Sequence, residues 1–423
     1  MQRREFLKAL GAGSIAASAL GGCANAMRSG PKVVVVGGGY GGATAAKYLR
    51  LWSNGALDVT LVEANPAFVS CPLSNLVLGG SKQLADITVS YDGLTKRGVK
   101  VVFATATAID VERGQIRLST EQTLPFDRVV LSPGIEFLYD LVPGLNNAAA
   151  QAKVLNAWKA GPQTVALRQQ LEAMPDGGVF AISIPRAPYR CPPGPYERAC
   201  QVAWYFKRAK PRSKVLILDG NEDVVSKKGL FMKAWNEDYK GIVEYRPNHV
   251  LMDVDVATMT AKFETADDVK ANVLNVIPPH GAGTIARQAG VITANNRWCE
   301  VDFLSFESIK VPKVYVLGDA IQVAPAMPKS GHMANQHGKV AAAAILNAFA
   351  GSAPNPTPVL NNTCYSFITD KNAVHVASVH QYDKEKKTLL AVPGSGGLSP
   401  GPTAVEGEFA FAWAKNMWAD ALT

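Results

Sequence analysis

The sequence predicts an α/β protein with two dinucleotide-binding (Rossmann-like) domains and a C-terminal interface domain. Its 423 residues are 48% hydrophobic and 18% charged, which suffices for two or three domains with buried cores. Apolar runs at residues 32–36, 179–184 and 215–218 have the length and composition of buried parallel strands. The first run leads directly into a glycine motif and a helical pattern, as a βαβ unit requires.

The glycine motif is the most specific local pattern of the first domain. Gly37, Gly39 and Gly42 form G-x-G-x-x-G between the strand at 32–36 and a predicted helix at 43–51. Glycines in this motif permit a tight turn, and they let backbone N–H groups approach a pyrophosphate at the helix N-terminus. The motif therefore predicts a dinucleotide site at this turn.

Three later segments extend the pattern of the first domain. A second predicted strand ends at Glu63, 24 residues after Gly39, the distance expected for a carboxylate that binds a ribose hydroxyl. Residues 124–134 and 312–320 supply two more apolar strands, and the latter ends in a Gly-Asp pair. Together these segments predict one complete dinucleotide-binding unit.

The second dinucleotide-like unit lacks a phosphate-binding loop. Its first strand, 179–184, is followed by Pro185 and Pro188 instead of glycines, although its second strand still ends at Asp219. Prolines remove the N–H donors that a pyrophosphate needs. We therefore predict that no nicotinamide nucleotide binds there.

The N-terminal segment is interpreted as an export signal. Residues 1–26 contain Arg3-Arg4 before Glu-Phe-Leu-Lys, a weakly apolar stretch and an A-x-A site, a pattern that looks like a twin-arginine signal peptide. We expect a periplasmic protein. The alternative interpretation is a lipoprotein anchored at Cys23.

Charge and composition exclude several other classes. The formal charge is +8, but the basic residues are scattered, so nucleic-acid binding is not predicted. No apolar run of 18 residues occurs after the N-terminal segment, which excludes a multi-span membrane protein. The chain has no C-x-x-C-H haem motif and no Cys/His cluster with metal-ligand spacing, so no metal site is predicted.

Five cysteines follow the predicted signal. Cys200 and Cys299 are interpreted as inert buried thiols. The other three lie in unusual segments: Cys71 in FVSCPLSN, Cys191 in YRCPPGPYERA and Cys364 in NNTCYS. Because the number is odd, at least one thiol has no partner cysteine within the chain.

These segments carry a family resemblance. RCPPGPYER, MPKSG (327–331) and NTCYS, together with the dinucleotide pattern, resemble the flavoprotein subunit of flavocytochrome c sulfide dehydrogenase, a relative of the sulfide:quinone reductases. The resemblance covers essentially the whole chain after the signal. It implies a fold of the disulfide-reductase flavoprotein type with FAD as cofactor.

The resemblance also implies roles for residues around the flavin. Gly318 and Asp319 correspond to the Gly-Asp pair whose aspartate holds the ribityl chain. A predicted helix at 331–346 points its positive N-terminus toward the flavin, where it stabilises an anionic reduced ring. Lys329 is a candidate for a positive charge beside that ring, and an ordinary surface lysine is the alternative.

The same resemblance implies roles for three cysteines. Cys191 and Cys364 form a disulfide over the flavin, and Cys71 bonds covalently to the flavin 8α carbon. Hydrosulfide is a soft nucleophile that opens a disulfide by exchange, and we expect it to attack Cys191 and release Cys364 beside the flavin. The alternatives are a purely structural bridge and a buried free thiol at Cys71.

The predicted domains and activity follow. The FAD-binding domain comprises residues 31–150 and 272–355, a degenerate dinucleotide-like domain spans 151–271, and the interface domain spans 356–423. The expected activity is oxidation of sulfide, with electrons passing to a c-type cytochrome on a separate chain. Sulfide:quinone oxidoreductase and a non-catalytic electron-transfer subunit are the alternatives.

Four other positions receive plain structural interpretations. Glu197, six residues after Cys191, is predicted to be an exposed helix residue, with proton transfer at the disulfide as the alternative. His332 and His337 are predicted to be capping or solvated residues, with a proton-relay role as the alternative. Trp413 is placed outside the apolar stripe of a C-terminal helix whose members are Phe411, Trp418 and Leu422. That helix is expected to pack on a partner or on the core, with membrane binding as the alternative.

Overall fold

A computed structural model describes residues 30–423. The predicted export signal at 1–26, including Cys23, lies outside the described residues. The described chain forms a large sheet, a second parallel sheet and a C-terminal antiparallel sheet, with smaller hairpins between them. Within residues 30–423, no helix has both the length and the apolar character needed to cross a membrane.

The large sheet forms the first dinucleotide-type domain. Its parallel centre has Val33 paired with Val59 on one side and with Arg128 on the other. Buried valines and leucines fill these strands, as their continuous apolar sequence predicts. In spatial order the strands are Val301–Asp302, Glu307–Ser308, Val314–Val316, Arg128–Leu131, Lys32–Val36, Asp58–Glu63 and Lys100–Phe103.

Two long helices pack closely beside this sheet. Tyr40–Trp52 begins three residues before the predicted start, and Gly331–Phe349 begins where it was predicted and ends three residues later. A Cβ added at Gly338 would lie 2.6 Å from the carbonyl oxygen of Gly41. Small residues therefore allow the two backbones to approach each other over the nucleotide-binding turn.

The second sheet forms the central domain, and all its pairs are parallel. Its strands in spatial order are Val243–Arg246, Lys214–Asp219, Val179–Ile184 and Val273–Val276. The last strand lies beyond the boundary predicted at residue 271, because it pairs with Val179–Ile184. Helices Pro162–Ala173, Gly194–Ala209 and Lys228–Asn236 belong to the same domain.

The C-terminal sheet is antiparallel and is followed by a long helix. Its strands are Val359–Phe367, Ala373–Asp383, Thr388–Ala391 and Gly397–Leu398, and the helix is Ala404–Leu422. The remaining strands are Phe68–Val69, Thr88–Val89, Ala106–Asp110, Gln115–Leu118, Thr123–Pro125, Ile135–Phe137, Leu251–Asp255, Thr260–Phe263, Val269–Lys270 and His280–Ala282. The shorter helices are Ser74–Gly79, Asp92–Lys96, Ala148–Lys153 and Thr284–Gln288, with 3₁₀ turns at Leu84–Ile87, Tyr139–Leu141, Pro143–Leu145 and Gly318–Ala320.

The C-terminal helix packs against the first domain. Lys47 Nζ donates hydrogen bonds to the carbonyl oxygens of Ala419 and Asp420 at 2.9 and 3.0 Å. Trp418 Nε1 donates to the hydroxyl of Tyr40 at 3.1 Å. These contacts agree with the expected packing of this helix on the core.

Trp413 lies outside the apolar stripe, as predicted, but its side of the helix is covered as well. Its ring lies 6.0 Å from that of His332 and 5.7 Å from that of Tyr365, and it packs against the core of the large sheet. Tyr365 belongs to the C-terminal sheet. Helical spacing predicts only the apolar stripe. That the C-terminal sheet also covers the face that carries Trp413 depends on the tertiary structure.

Candidate active site

The glycine turn of the first domain forms an open cradle. Gly37 has φ +96°, in the region that favours glycine, and a Cβ added there would lie 2.3 Å from the carbonyl oxygen of Ser132. A Cβ at Gly42 would lie 1.9 Å from the carbonyl oxygen of Gly37, whereas nothing lies within 4 Å of one at Gly39. The turn is therefore tightly packed against the protein at Gly37 and Gly42 and open at Gly39, as close approach of a pyrophosphate requires.

Glu63 lies beside this cradle at the end of its strand. Its Oε2 accepts a hydrogen bond from Gly38 N at 2.6 Å, and its Oε1 accepts from the backbone and side chain of Asn65. The carboxylate is thus held at the carboxyl edge of the sheet, next to the glycine turn. This position suits a ribose contact.

The Gly-Asp turn contributes an unused acceptor to the same edge. Asp319 Oδ1 is buried and has no hydrogen-bond partner among the described residues, and Oδ2 lies 3.8 Å from Arg190 Nε. A buried acceptor without a donor is costly in a folded protein. A ribityl hydroxyl would satisfy it, so the turn fits the predicted role of Asp319 toward FAD.

His337 supports the Gly-Asp turn from behind. Its imidazole is buried, and its Nδ1 accepts a hydrogen bond from Gly318 N at 3.2 Å. Burial lowers the pKa of His337 to about 3, so the ring is neutral and accepts this bond. The prediction of a capping or solvated residue was wrong for His337. His332 does not cap the helix either, because Ser330 is its N-cap; His332 Nδ1 accepts from Thr363 N of the C-terminal strand at 3.0 Å.

Lys329 is a buried cation at the same turn. Its side chain is only 3% exposed, and Nζ donates to the carbonyl oxygens of Asp319 and Ile321 at 2.9 and 2.6 Å. The ammonium lies 3.6 Å from the centroid of the Trp298 ring. Burial lowers the pKa of Lys329 to about 7. The surface alternative is therefore excluded, and a role of Lys329 beside the flavin stays a prediction.

Three cysteines from distant segments converge on this edge. Cys191 N donates to the carbonyl oxygen of Lys329 at 2.8 Å. Burial raises the pKa of the Cys191 thiol, and charge repulsion from Cys71 and then Cys364 adds to that increase. Arg190 adjoins the group: burial opposes its charge, but Cys71, followed by Asp319, raises the pKa of its guanidinium. The structure thus brings the three predicted cysteines together, each half-buried and each as a thiol.

The remaining cysteines behave as predicted. Cys200 and Cys299 are completely buried, and both lie in hydrophobic clusters. Burial raises the pKa of Cys299 to about 12 and that of Cys200 still further. Such thiols are poor nucleophiles.

Glu197 is not an exposed helix residue, and that prediction was wrong. Its Oε1 accepts from Phe367 N and its Oε2 accepts from Asn75 Nδ2, both at 2.8 Å. Burial raises the pKa of this carboxyl group. The helical position alone gave no sign of this burial, because the C-terminal strand and the short helix Ser74–Gly79 supply the covering groups.

The corresponding position of the central domain is filled by the protein itself. Asp219 is completely buried, and its Oδ2 accepts from the hydroxyl of Tyr196 at 2.7 Å and from that of Tyr245 at 3.2 Å. The helix Gly194–Ala209 has Pro193 at its N-cap and a second proline in its first turn. Its donors and the strand-end carboxylate are therefore unsuited to a second dinucleotide.

Three basic residues of the site were missed by sequence reasoning. Arg190 and Arg198 flank the CPPGPYE segment, and that position is the only signal that singles them out. Arg198 joins two domains, because its Nε donates to Asn75 Oδ1 and its Nη1 to Asn275 Oδ1. Lys227 carries no motif at all, yet it is only 4% exposed.

Three family descriptions match separate parts of the chain. Residues 31–169 match pyridine nucleotide-disulphide oxidoreductase. Residues 164–278 match the central part of the sulfide dehydrogenase (flavocytochrome c) flavoprotein chain, and residues 356–422 match its flavin-binding part. The chain is also similar to the sulfide:quinone oxidoreductase of Aquifex aeolicus, with a TM-score of 0.76, 17% identity and coverage of 92% of this chain and 91% of that one.

Two curated relatives complete the comparison. A mitochondrial sulfide:quinone oxidoreductase of Dictyostelium discoideum is 24% identical over 297 residues, which cover 68% of this chain and 65% of that protein. The chain therefore spans slightly less than two thirds of that relative. A sulfide dehydrogenase (flavocytochrome c) flavoprotein chain of Chlorobaculum thiosulfatiphilum is 61% identical over 46 residues, which cover 11% of this chain and 94% of that sequence. The chain belongs to the family of flavocytochrome c sulfide dehydrogenase flavoprotein chains.

Proposed function

We propose that this protein oxidises sulfide through a Cys191–Cys364 disulfide and FAD, and delivers the electrons to a c-type cytochrome on a separate chain. The observation that carries the proposal is the convergence of Cys71, Cys191 and Cys364 at the edge that holds Asp319. A structural bridge would not need a third thiol, an unsatisfied carboxylate and buried cations around it.

Sulfide enters by nucleophilic attack on the disulfide. Hydrosulfide bonds to Cys191 Sγ, the Cys191–Cys364 bond breaks, and the electron pair of that bond leaves on Cys364 as a thiolate. Cys191 then carries a persulfide. Arg190 lies next to Cys191 and 3.8 Å from the Asp319 carboxylate, so it supplies positive charge where an anionic substrate must approach.

The cradle residues would hold the cofactor. Gly37, Gly39 and Gly42 receive the pyrophosphate, Glu63 a ribose hydroxyl, and Asp319 the ribityl chain. FAD supplies an acceptor that takes two electrons together and releases them singly. Lys329 holds a positive charge at this edge, and Cys71 is the proposed point of a covalent bond to the flavin.

The site of action follows from the N-terminal segment. A twin-arginine signal exports folded proteins, so we place the enzyme in the periplasm, where a covalent bond prevents loss of the cofactor. The cytochrome is placed on a separate chain because the sequence has no C-x-x-C-H motif. Sulfide:quinone oxidoreductase is the second candidate, on account of its similarity in sequence and fold.

The disulfide is tested by replacing each cysteine with serine. We expect Cys191→Ser and Cys364→Ser to abolish flavin reduction by sulfide while dithionite still reduces the flavin in both variants. Cys200→Ala, which removes a buried thiol away from the site, is the matched control and should keep the wild-type rate. Near-wild-type turnover of Cys364→Ser would show that the bridge is only structural.

The acceptor is tested by supplying each candidate to the reduced enzyme. Cytochrome c should reoxidise the flavin faster than a water-soluble quinone at the same concentration. The reverse order of rates would assign the chain to the quinone-reducing activity instead.

The covalent link is tested by acid precipitation. Wild-type protein should leave the yellow flavin in the pellet, whereas Cys71→Ala should release it to the supernatant and remain folded. A colourless wild-type pellet would refute the covalent bond at Cys71 without affecting the disulfide chemistry.

A further inference from the structure

Lys227 is a buried cation that the chemistry described above does not use. Its side chain is 4% exposed, and within residues 30–423 it forms no ion pair at 4.0 Å or less. Its Nζ donates one hydrogen bond, at 2.7 Å, to Ser366 Oγ. A buried ammonium without a carboxylate partner is expensive in a folded protein. This cost calls for a functional reason.

The hydrogen bond places this ammonium beside Cys364. Ser366 and Cys364 are two residues apart on the strand Val359–Phe367, so their side chains project from the same face about 7 Å apart. Lys227 itself reaches this strand from the loop before the helix Lys228–Asn236. The ammonium therefore approaches Cys364 from the central domain, on the face that carries the thiol.

The backbone of Lys227 has a left-handed conformation that a lysine rarely adopts. Lys227 has φ +56°, and Cys191 has φ +57°. A non-glycine residue in this region is strained by about 1 kcal/mol or more, and such strain clusters at functional sites. Glycine or asparagine would serve the turn better, so the lysine is explained by its ammonium.

Electrostatics supports the same assignment. Burial lowers the pKa of Lys227 to about 8, and the group that opposes this most strongly is Cys364, followed by Glu197, Cys191 and Glu406. Burial raises the pKa of Cys364, and Lys227 is the strongest opposing influence, ahead of Asn362 and Ser330, whereas Cys71 adds to the increase. Each group is thus the main counter-charge of the other.

We infer that Lys227 is a positioning residue that stabilises the Cys364 thiolate when the disulfide opens. This inference rests on the proposed function. When hydrosulfide bonds to Cys191, the electron pair of the broken S–S bond arrives on Cys364, and the ammonium is already in place to meet that charge. Before the attack the ammonium has only a neutral partner, the Ser366 hydroxyl. After the attack it faces the Cys364 thiolate, so it stabilises the step that forms this thiolate.

The test measures ionisation of Cys364 in the flavin-containing protein. In a Cys191→Ser background the ultraviolet absorbance of the thiolate is followed against pH, and the signal of Cys191→Ser/Cys364→Ser is subtracted. Adding Lys227→Met should raise the midpoint for Cys364 by about one to two pH units. Lys227→Arg keeps the charge. It should therefore leave the midpoint for Cys364 close to that of the Cys191→Ser protein.

A matched control distinguishes the loss of the Lys227 charge from the loss of any lysine charge in this part of the protein. Lys233 lies on the adjoining helix with its side chain 62% exposed, so Lys233→Met should leave the midpoint unchanged. Ser366→Ala keeps the ammonium but removes its hydrogen-bond acceptor, so we expect a smaller increase in the midpoint for Cys364. This variant replaces Lys227→Met if that protein does not fold.

Equal midpoints with and without Lys227→Met, or with and without Ser366→Ala, would overturn the inference. That outcome is independent of the proposed function, which depends on flavin reduction by sulfide in the wild-type enzyme. A shifted midpoint in a protein whose flavin sulfide does not reduce would instead refute the proposed function alone.

Discussion

The two dinucleotide-type domains differ in what occupies the carboxyl ends of their strands. In the first domain the glycine turn is open in front of Gly39, and Asp319 keeps an unused buried oxygen. In the central domain the carboxylate at the end of the second strand is Asp219, which corresponds to Glu63; it is completely buried and accepts bonds from two tyrosine hydroxyls. The same strand arrangement is thus a nucleotide site in one domain and a packed interior in the other.

The central domain makes contacts with both other parts of the chain. Its helix Gly194–Ala209 carries Arg198, which reaches Asn75 of the first domain, and Glu197, which binds Phe367 N of the C-terminal strand. The residues after Cys191 therefore hold three parts of the chain together. The central domain thus supports the segment that carries Cys191.

Reduction of the flavin by a nicotinamide nucleotide would contradict this comparison most strongly. We predict that millimolar NADH or NADPH leaves the flavin oxidised under anaerobic conditions, because prolines and the engaged Asp219 remove the contacts of a pyrophosphate and a ribose. Sulfide, added afterwards to the same sample, serves as the positive control. Rapid bleaching of the flavin by either nucleotide would show that the central domain still binds one.

The next largest effect is expected within the glycine turn. Gly42→Ala places a methyl group 1.9 Å from the carbonyl oxygen of Gly37, and overpacking against backbone costs about 3 kcal/mol or more. Gly39→Ala is the matched variant, because nothing lies within 4 Å of its new methyl group. We expect both variants to incorporate less flavin, as measured by flavin absorbance, and Gly42→Ala to have the lower melting temperature of the two. Equal melting temperatures would contradict the packing argument.

A smaller effect concerns the support of the Gly-Asp turn. The pKa of His337 is about 3 in the folded protein, below its ordinary unfolded value. Its stabilising contribution is therefore present above about pH 6.5 and is lost as pH falls toward 3, by about 2 kcal/mol at pH 5.

The measurement is the free energy of unfolding between pH 7 and pH 5, in wild type and in His337→Asn. Asparagine keeps an acceptor for Gly318 N but does not titrate. Burial also lowers the pKa values of His280, His332 and His380, so only the difference between the two proteins reports on His337. Identical pH dependence would contradict a neutral, buried His337.

Sequence reasoning succeeded where the determining contacts are local. The turn at Gly37, the strand that ends at Glu63 and the helix that begins at Gly331 depend on neighbouring residues and on hydrophobic pattern, and all three are found as predicted. It failed at Glu197 and His337, because separate elements cover their side chains: Asn75 and Phe367 contact Glu197, and Gly318 and Phe306 contact His337. Burial of this kind leaves no periodic trace in the sequence.

By itself, the sequence determined which chemistry the chain carries: one glycine cradle, a proline loop in place of the second, and cysteines in three distinctive segments. Only the tertiary structure decided that Cys71, Cys191 and Cys364 meet, and that Lys227 and Lys329 are buried beside them. The physical reason is that a motif acts through its own backbone, whereas the charge state of a thiol depends on desolvation and on cations delivered by other domains.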